Sequence, residues 1–225
     1  MTRVAITTDR FDVVAPQYLA VGLVPVPTPC VEVVAAGEEI LTRAREAASR
    51  ADLVLITSAR TIDLLWPEGG MPPTGAVTVG AASAAAVEAA DGRVVVTGRS
   101  GLAALLDGAA EQLRVATVAF PHAAGTDPDL LNKLRSLAPG IEEHEVYRTD
   151  AMAPEPALVQ AVVFSSPSAV TGWLRARNFE GLVVGVIGST TKAAVARHRL
   201  PEVVAPEPNH HSLAHALTSY LEVSV

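Results

Sequence analysis

Two segments of the chain repeat each other at one constant offset. The apolar run Leu53–Ser58 resembles Ala161–Ser166, and the glycine turn at Gly80 resembles the turn at Gly188, each pair lying 108 positions apart. Repetition of several features at one long offset indicates duplicated structural units. We therefore expect two similar lobes, in which related strands and turns occur in the same order.

Short β-branched runs alternate with alanine-rich stretches along most of the chain. The predicted strands are Val4–Thr7, Leu53–Thr57, Ala76–Val79, Val94–Val96, Val115–Phe120, Ala161–Ser165, Val183–Ile187 and Val203–Ala205. The predicted helices are Glu38–Arg50, Ala82–Ala90, Leu102–Leu113, Asp129–Leu137, Ser168–Arg177, Thr191–Arg199 and Leu213–Leu221. Strands that are apolar on both faces are typical of sheets covered by helices on both sides. The pattern predicts an α/β fold with parallel sheets.

Two stretches rich in proline or glycine are the natural linkers, Pro25–Gly37 and Arg148–Pro156. If both are linkers, residues 33–146 form one continuous α/β lobe, and residues 1–32 join residues 147–225 in a discontinuous one. The spacing of the repeats alone does not decide whether residues 1–32 pack with the segment that follows them or with residues 147–225. Two chain crossings would leave a cleft between the lobes, with a double hinge.

Composition excludes several classes of protein. Hydrophobic residues make up 49% of the 225 positions, which argues against disorder. The longest apolar runs are far shorter than the roughly 20 residues of a membrane span, and the first ten residues do not form a secretory signal. A net charge of −7 without a basic run disfavours nucleic-acid binding. The single cysteine, Cys30, fits a reducing compartment, so we expect a cytoplasmic protein.

Three short motifs, together with the two-lobed layout, resemble the uroporphyrinogen-III synthase family. They are Val146–Thr149, Phe164–Ser168 and Ile187–Ala193, and the resemblance spans essentially the whole chain. It implies two α/β lobes joined by strand-like linkers. It also implies a cofactor-free reaction, in which the linear tetrapyrrole hydroxymethylbilane loses water and cyclises to uroporphyrinogen III with its last pyrrole ring inverted. The turn Ala81–Ser83 departs from the family pattern, so the alternative is a non-catalytic small-molecule binder or regulatory relative.

Hydroxyl-bearing residues lie where predicted strands end and helices begin. The candidate substrate-binding residues are Ser58, Arg60, Ser166, Ser168, Ser189, Thr190 and Thr191. Ligands of open α/β sheets bind at the carboxyl ends of the strands, and helix N-termini attract anions. Ser and Thr also cap helices without any ligand, and Arg60 is compatible with either a carboxylate partner or a solvated surface. The substrate implied by the resemblance carries eight carboxylates, which favours binding by Thr190 and Thr191, whereas the related turn at Gly80 is expected to be structural.

Tyr147 is the candidate catalytic residue, in a predicted linker beside Arg148. A phenol can donate a proton or a hydrogen bond without carrying charge at neutral pH. From the residue alone, a packing role with the hydroxyl paired to backbone is favoured. The resemblance implies instead that this tyrosine takes part in the loss of the substrate's hydroxyl group.

His211 and His215 lie four positions apart, as metal-binding histidines on a helix do. No acidic or cysteine ligand is near them, so we predict a solvated helix start and no metal site. The predicted continuous lobe, residues 33–146, carries 9 basic and 15 acidic side chains. A polyanionic substrate therefore cannot rely on a basic groove, and helix N-termini must supply much of the binding. We expect a monomer whose partner is this tetrapyrrole substrate.

Overall fold

The structure, a computed structural model, describes residues 1–98 and 101–223. The chain divides into two compact units, which are Met1–Val33 with Thr149–Val225, and Val34–Arg148. Each unit is built on its own β-sheet with helices between the strands, so the predicted α/β class with parallel sheets is confirmed. Within the described residues, none of the helices has the length and apolar character needed to cross a membrane.

The strands are β1 (Arg3–Ile6), β2 (Val24–Pro27), β3 (Val31–Ala35), β4 (Leu53–Ile56), β5 (Gly75–Thr78), β6 (Arg93–Thr97), β7 (Thr117–Ala123), β8 (Gly140–Ala151), β9 (Ala161–Phe164), β10 (Val183–Val186) and β11 (Val203–Val204). The helices are α1 (Phe11–Leu19), α2 (Glu38–Arg50), α3 (Ala59–Leu65), α4 (Ala81–Ala89), α5 (Gly101–Gly108), α6 (Ala110–Val115), α7 (Pro128–Leu137), α8 (Pro167–Leu174), α9 (Ser189–Ala196) and α10 (His210–Val223).

The two sheets share one topology. The sheet of the first unit has the order β11-β10-β9-β1-β2, and that of the second has the order β3-β8-β7-β4-β5-β6. Strands β4, β5 and β6 thus correspond to β9, β10 and β11, while β7 and β8 correspond to β1 and β2. The ladders between these neighbouring strands are parallel in both units. The repeat in the sequence is therefore a repeat of structure, to which β3 adds one further edge strand.

Both faces of the first sheet are buried, which explains why its strands are apolar without alternation. Val4 and Ile6 pack with Leu213 of α10 on one face. Ala5, which lies between them, packs with Trp173 of α8 on the other face. Successive side chains of a strand point to opposite faces, so a strand covered on both sides needs an apolar residue at every position.

The predicted linker Pro25–Gly37 consists mostly of strand. Strand β2 is the edge of the first sheet, and β3 is the edge of the second. Pro25 and Pro27 lack a backbone N–H and are tolerated only where no further strand has to be paired. Pro25 and Pro27, which made this stretch look like a linker in the sequence, therefore belong to an edge strand. The second predicted linker begins as strand, since β8 continues to Ala151.

Other predicted boundaries differ from the structure for local reasons. The single helix predicted over Leu102–Leu113 is two helices that meet at Ala109. Strand β7 begins at Thr117 rather than at Val115, which ends α6 and is 88% exposed. The Asp52 carboxylate accepts hydrogen bonds from the backbone N–H and the hydroxyl of Thr117, at 2.8 and 2.7 Å. These bonds hold the pKa of Asp52 below its usual value and mark the start of the strand.

Candidate functional site

The first turn of α9 offers unpaired hydrogen-bond donors. Gly188 precedes the helix in an extended conformation and provides no side-chain cap. The first helical bond joins the Lys192 N–H to the Gly188 carbonyl at 2.8 Å. The backbone N–H groups of Ser189, Thr190 and Thr191 have no acceptor among the described residues. These groups, at the positive end of the helix, form the type of site that binds carboxylates.

The three hydroxyl residues of this turn differ in exposure. Ser189 and Thr190 are exposed, whereas Thr191 is only 3% exposed. Nothing in the described part of the chain forms a hydrogen bond with the Thr191 hydroxyl. The hydroxyl oxygen is not one of the fully buried, unpaired side-chain atoms of the described chain. It therefore reaches the surface at this turn, where it can donate a hydrogen bond to a ligand.

Ser166 and Ser168 begin the neighbouring helix, α8. The Ser166 hydroxyl accepts a hydrogen bond from the Ala169 N–H at 3.2 Å, and Pro167 takes the first helical position. Ser166 is thus a helix cap, while Ser168 lies half-buried in the first turn. Strands β9 and β10 are parallel neighbours. The turns that follow them therefore lie at the same edge of the sheet, which brings the Ser166 and Gly188 turns together within this unit.

Ser58 and Arg60 belong to the second unit, at the start of α3. The Ser58 hydroxyl caps this helix by accepting a hydrogen bond from the Arg60 N–H at 3.3 Å. Both residues are half-buried. Because β4 and β5 are parallel neighbours, the turn at Ser58 shares its edge of the sheet with the turn that follows β5.

Ser83 was not among the predicted site residues, although the repeat could have identified it. It is the third residue of α4, lies 108 positions before Thr191, and is 6% exposed. Gly80 provides no side-chain cap for this helix. The Ser83 hydroxyl has no hydrogen-bond partner within residues 1–98 and 101–223. The two units therefore carry equivalent turns, each with a largely buried hydroxyl-bearing residue at the third helical position.

Tyr147 lies in strand β8 rather than in a linker. It pairs with Ala123 near the carboxyl end of β7, and its carbonyl accepts a hydrogen bond from the Ala124 N–H at 2.7 Å. The residue is 7% exposed. Its hydroxyl group bonds to none of the described residues, and the hydroxyl paired with backbone, which the sequence offered as the alternative, is not found within residues 1–98 and 101–223. Burial holds the ring while the phenolic donor stays available.

The cysteine, the candidate metal ligands and the 390 Å³ cavity do not add to the site at the helix N-termini. Cys30 is fully buried, and burial raises the pKa of its thiol to about 12, so the thiolate is not formed at neutral pH. In the described ranges, no group of three or more His, Cys, Asp or Glu side chains could hold a metal ion. A cavity of about 390 Å³ includes Leu158 and Leu182 in its lining, just before β9 and β10. It therefore lies at the opposite edge of the sheet from the α9 turn.

Comparisons with known proteins give one consistent result. Residues 12–215 match the family described as "Uroporphyrinogen-III synthase HemD". No curated protein matches significantly. The structure of uroporphyrinogen-III synthetase from Helicobacter pylori superposes with a TM-score of 0.66 at 14% identity, over 100% of this chain and 99% of that one. A mutant uroporphyrinogen III synthase from the extremely thermophilic bacterium Thermus thermophilus gives a TM-score of 0.61 at 17% identity, over 99% and 100%. These structural matches establish a shared fold.

Proposed function

Because the chain belongs to the uroporphyrinogen-III synthase family, we propose that its helix N-termini and Tyr147 serve the reaction of that family. The enzyme cyclises hydroxymethylbilane to uroporphyrinogen III, with loss of water and inversion of the last pyrrole ring. It therefore acts in tetrapyrrole biosynthesis. The observation that carries the residue assignment is the first turn of α9, where three N–H groups and the Thr191 hydroxyl lack partners in the described chain.

In this proposal the carboxylates of the substrate bind to backbone donors. A helix N-terminus provides N–H groups and a partial positive charge without a basic side chain. This suits a protein with a net charge of −7, because a polyanion would be repelled by an acidic surface. Ser189, Thr190 and Thr191 form one carboxylate site, to which Ser166 and Ser168 contribute from the next turn. Ser58 and Arg60, with Ser83, form the equivalent site of the second unit.

Tyr147 is assigned the proton donor for the departing hydroxyl. A neutral phenol can donate a hydrogen bond to an oxygen as it acquires negative charge, and this interaction strengthens as the bond breaks. The buried ring is held in β8, and its hydroxyl is not engaged by any described residue. The carboxylate sites would position the substrate, while Tyr147 would assist the loss of water.

The isomer of the product tests the function directly. Freshly prepared hydroxymethylbilane is incubated with the protein, and the porphyrins obtained by oxidation are separated by isomer. Unassisted closure of the bilane gives the type I isomer, so we expect type III to dominate in proportion to the amount of enzyme. Type I alone at high protein concentration would instead favour a non-catalytic binder.

Replacing Thr191 by Met is expected to raise the apparent substrate constant about tenfold or more. The larger side chain would crowd the first turn of α9 and remove a hydroxyl, and one charge-assisted hydrogen bond is worth about 1.5–3 kcal/mol. Initial rates over a range of bilane concentrations, with thermal melts of the same samples, measure the two effects separately. The matched control is Thr171→Met, at an exposed position of α8, which should leave the substrate constant unchanged. A Thr191 variant that melts and binds normally would make this turn a cap only.

A further inference from the structure

We propose that His211 and His215 form a two-ligand binding site for a divalent transition-metal ion on α10. The site is separate from the turns assigned to the substrate and does not depend on the proposed function. The ion would be of the class that imidazole prefers, with Ni²⁺ and Cu²⁺ as the best-matched members. This revises the sequence-based prediction of a merely solvated helix start.

Both imidazoles lie on the solvent side of a well-anchored helix. His211 and His215 are exposed, whereas Leu213 and Leu217, on the opposite side, are completely buried. The preceding residue, His210, is fixed through its Nδ1, which lies 2.9 Å from the Tyr18 hydroxyl. The first turns of α10 are therefore held in place, so two residues four positions apart present their side chains next to each other.

The distance between the centroids of the two rings matches that of two imidazoles bound to one ion. A metal ion about 2.0–2.1 Å from an imidazole nitrogen lies about 3.2 Å from the centroid of that ring. Two imidazoles bound at a right angle then have centroids about 4.5 Å apart, and at a tetrahedral angle about 5.2 Å apart. The observed separation is 4.6 Å, with the ring planes inclined by 66°. The separation is closer to the right-angled arrangement, which is typical of tetragonal Cu²⁺ and Ni²⁺.

The number of protein ligands determines how tightly the site would bind a metal ion. No third His, Cys, Asp or Glu ligand accompanies the pair within the described residues. Water would therefore complete the coordination, and the ion would exchange with solvent. A structural zinc site, in contrast, has four protein ligands. We infer a reversible site whose occupation adds stability to the folded state in proportion to the concentration of free metal.

Calorimetric titration of the untagged protein with NiCl₂ tests this site. We expect saturable binding of one ion per chain, and a melting temperature that rises with Ni²⁺ concentration. His211→Gln and His215→Gln should each weaken binding by about 10²-fold, because the second ligand of a chelate acts at a high effective concentration. His198→Gln removes another exposed histidine, on a different part of the surface, and should leave binding unchanged.

The outcomes separate the site from unspecific binding. All three substitutions are at exposed positions, and the only ring contacts they remove are His198 with Phe179 and His211 with His215 among the described residues. The melting temperatures without metal should therefore lie close to that of the unmodified protein. Loss of binding in both α10 variants, together with retention in the His198 variant, supports the proposal. Absence of saturable binding in the unmodified protein would overturn it, and so would undiminished binding in either α10 variant.

Discussion

Replacing Tyr147 by Phe should lower the rate of uroporphyrinogen III formation by roughly 10²-fold, the usual scale for losing a general acid. This corresponds to about 2.7 kcal/mol of activation free energy. The loss should fall on turnover rather than on the substrate constant, because the phenol would interact most strongly as the hydroxyl departs. Folding should survive, since Phe preserves the buried ring and the replaced hydroxyl has no partner in the described structure. Initial rates of type III formation and thermal melts measure both properties.

Tyr18 provides a matched control for this substitution. It is completely buried, and its hydroxyl forms a 2.9 Å hydrogen bond with Nδ1 of His210. Tyr18→Phe should therefore destabilise the fold by about 1–3 kcal/mol, because the buried ring loses its hydrogen bond and His210 Nδ1 loses its partner, while turnover is retained. Opposite effects in the two variants would separate the chemical from the structural hydroxyl. Turnover at the unmodified rate in a well-folded Tyr147→Phe protein would remove Tyr147 from the mechanism.

Replacing Gly172 by Ala should destabilise the first unit by about 3 kcal/mol, at the upper end of the cost of overpacking. Gly172 lies within α8, where Ala would ordinarily improve helix stability by about 0.5–1 kcal/mol. Here the added methyl group would overlap the carbonyl oxygen of Cys30 and lie 2.5 Å from the carbonyl oxygen of Met152. These are backbone atoms of two segments joined by a 2.9 Å hydrogen bond between Met152 and Cys30. If either segment moved away alone, this hydrogen bond would be broken.

Gly108→Ala is the control for the change in helix propensity. Gly108 ends α5, and an added methyl group there would meet no atom within 4 Å. This variant should match the unmodified protein or gain up to about 1 kcal/mol. Urea unfolding of both variants gives the comparison. Equal stability of the two would mean that the Cys30 and Met152 segments can shift to accept a side chain.

The accuracy of the sequence predictions depends on how strongly burial shapes each element. Strand β4 lies within the predicted range Leu53–Thr57, because its residues are apolar on both faces. Strand β8 was not predicted, since it contains Glu142 and Glu143. The structure shows these side chains paired with Arg50 at 3.3 Å and Arg135 at 2.8 Å. Charged side chains that form ion pairs at the surface interrupt the run of apolar residues from which a strand is predicted.

Helix α1 was missed for a related reason. It contains Pro16, and its Val13 and Leu19 side chains are 60% and 59% exposed. Exposed apolar residues and an internal proline blur the helical period on which the prediction depends. The candidate site shows the same limit. Hydroxyl residues at strand ends could be found in the sequence, but the sequence does not show which hydroxyls have partners, such as that of Ser166, and which do not, such as that of Thr191.

The sequence alone determined that this chain folds into parallel α/β units and that the pattern of strands and turns is duplicated. Both follow from local apolar runs and from residues that recur at one offset. Only the tertiary structure decided that β1 lies between β9 and β2, with Val4 opposite Ala161. It also decided that the Thr191 and Tyr147 hydroxyls are left without partners in the described chain. The pairing of strands and the pairing of hydroxyl groups both depend on residues that are far apart in the chain. Neither can be predicted from the local sequence.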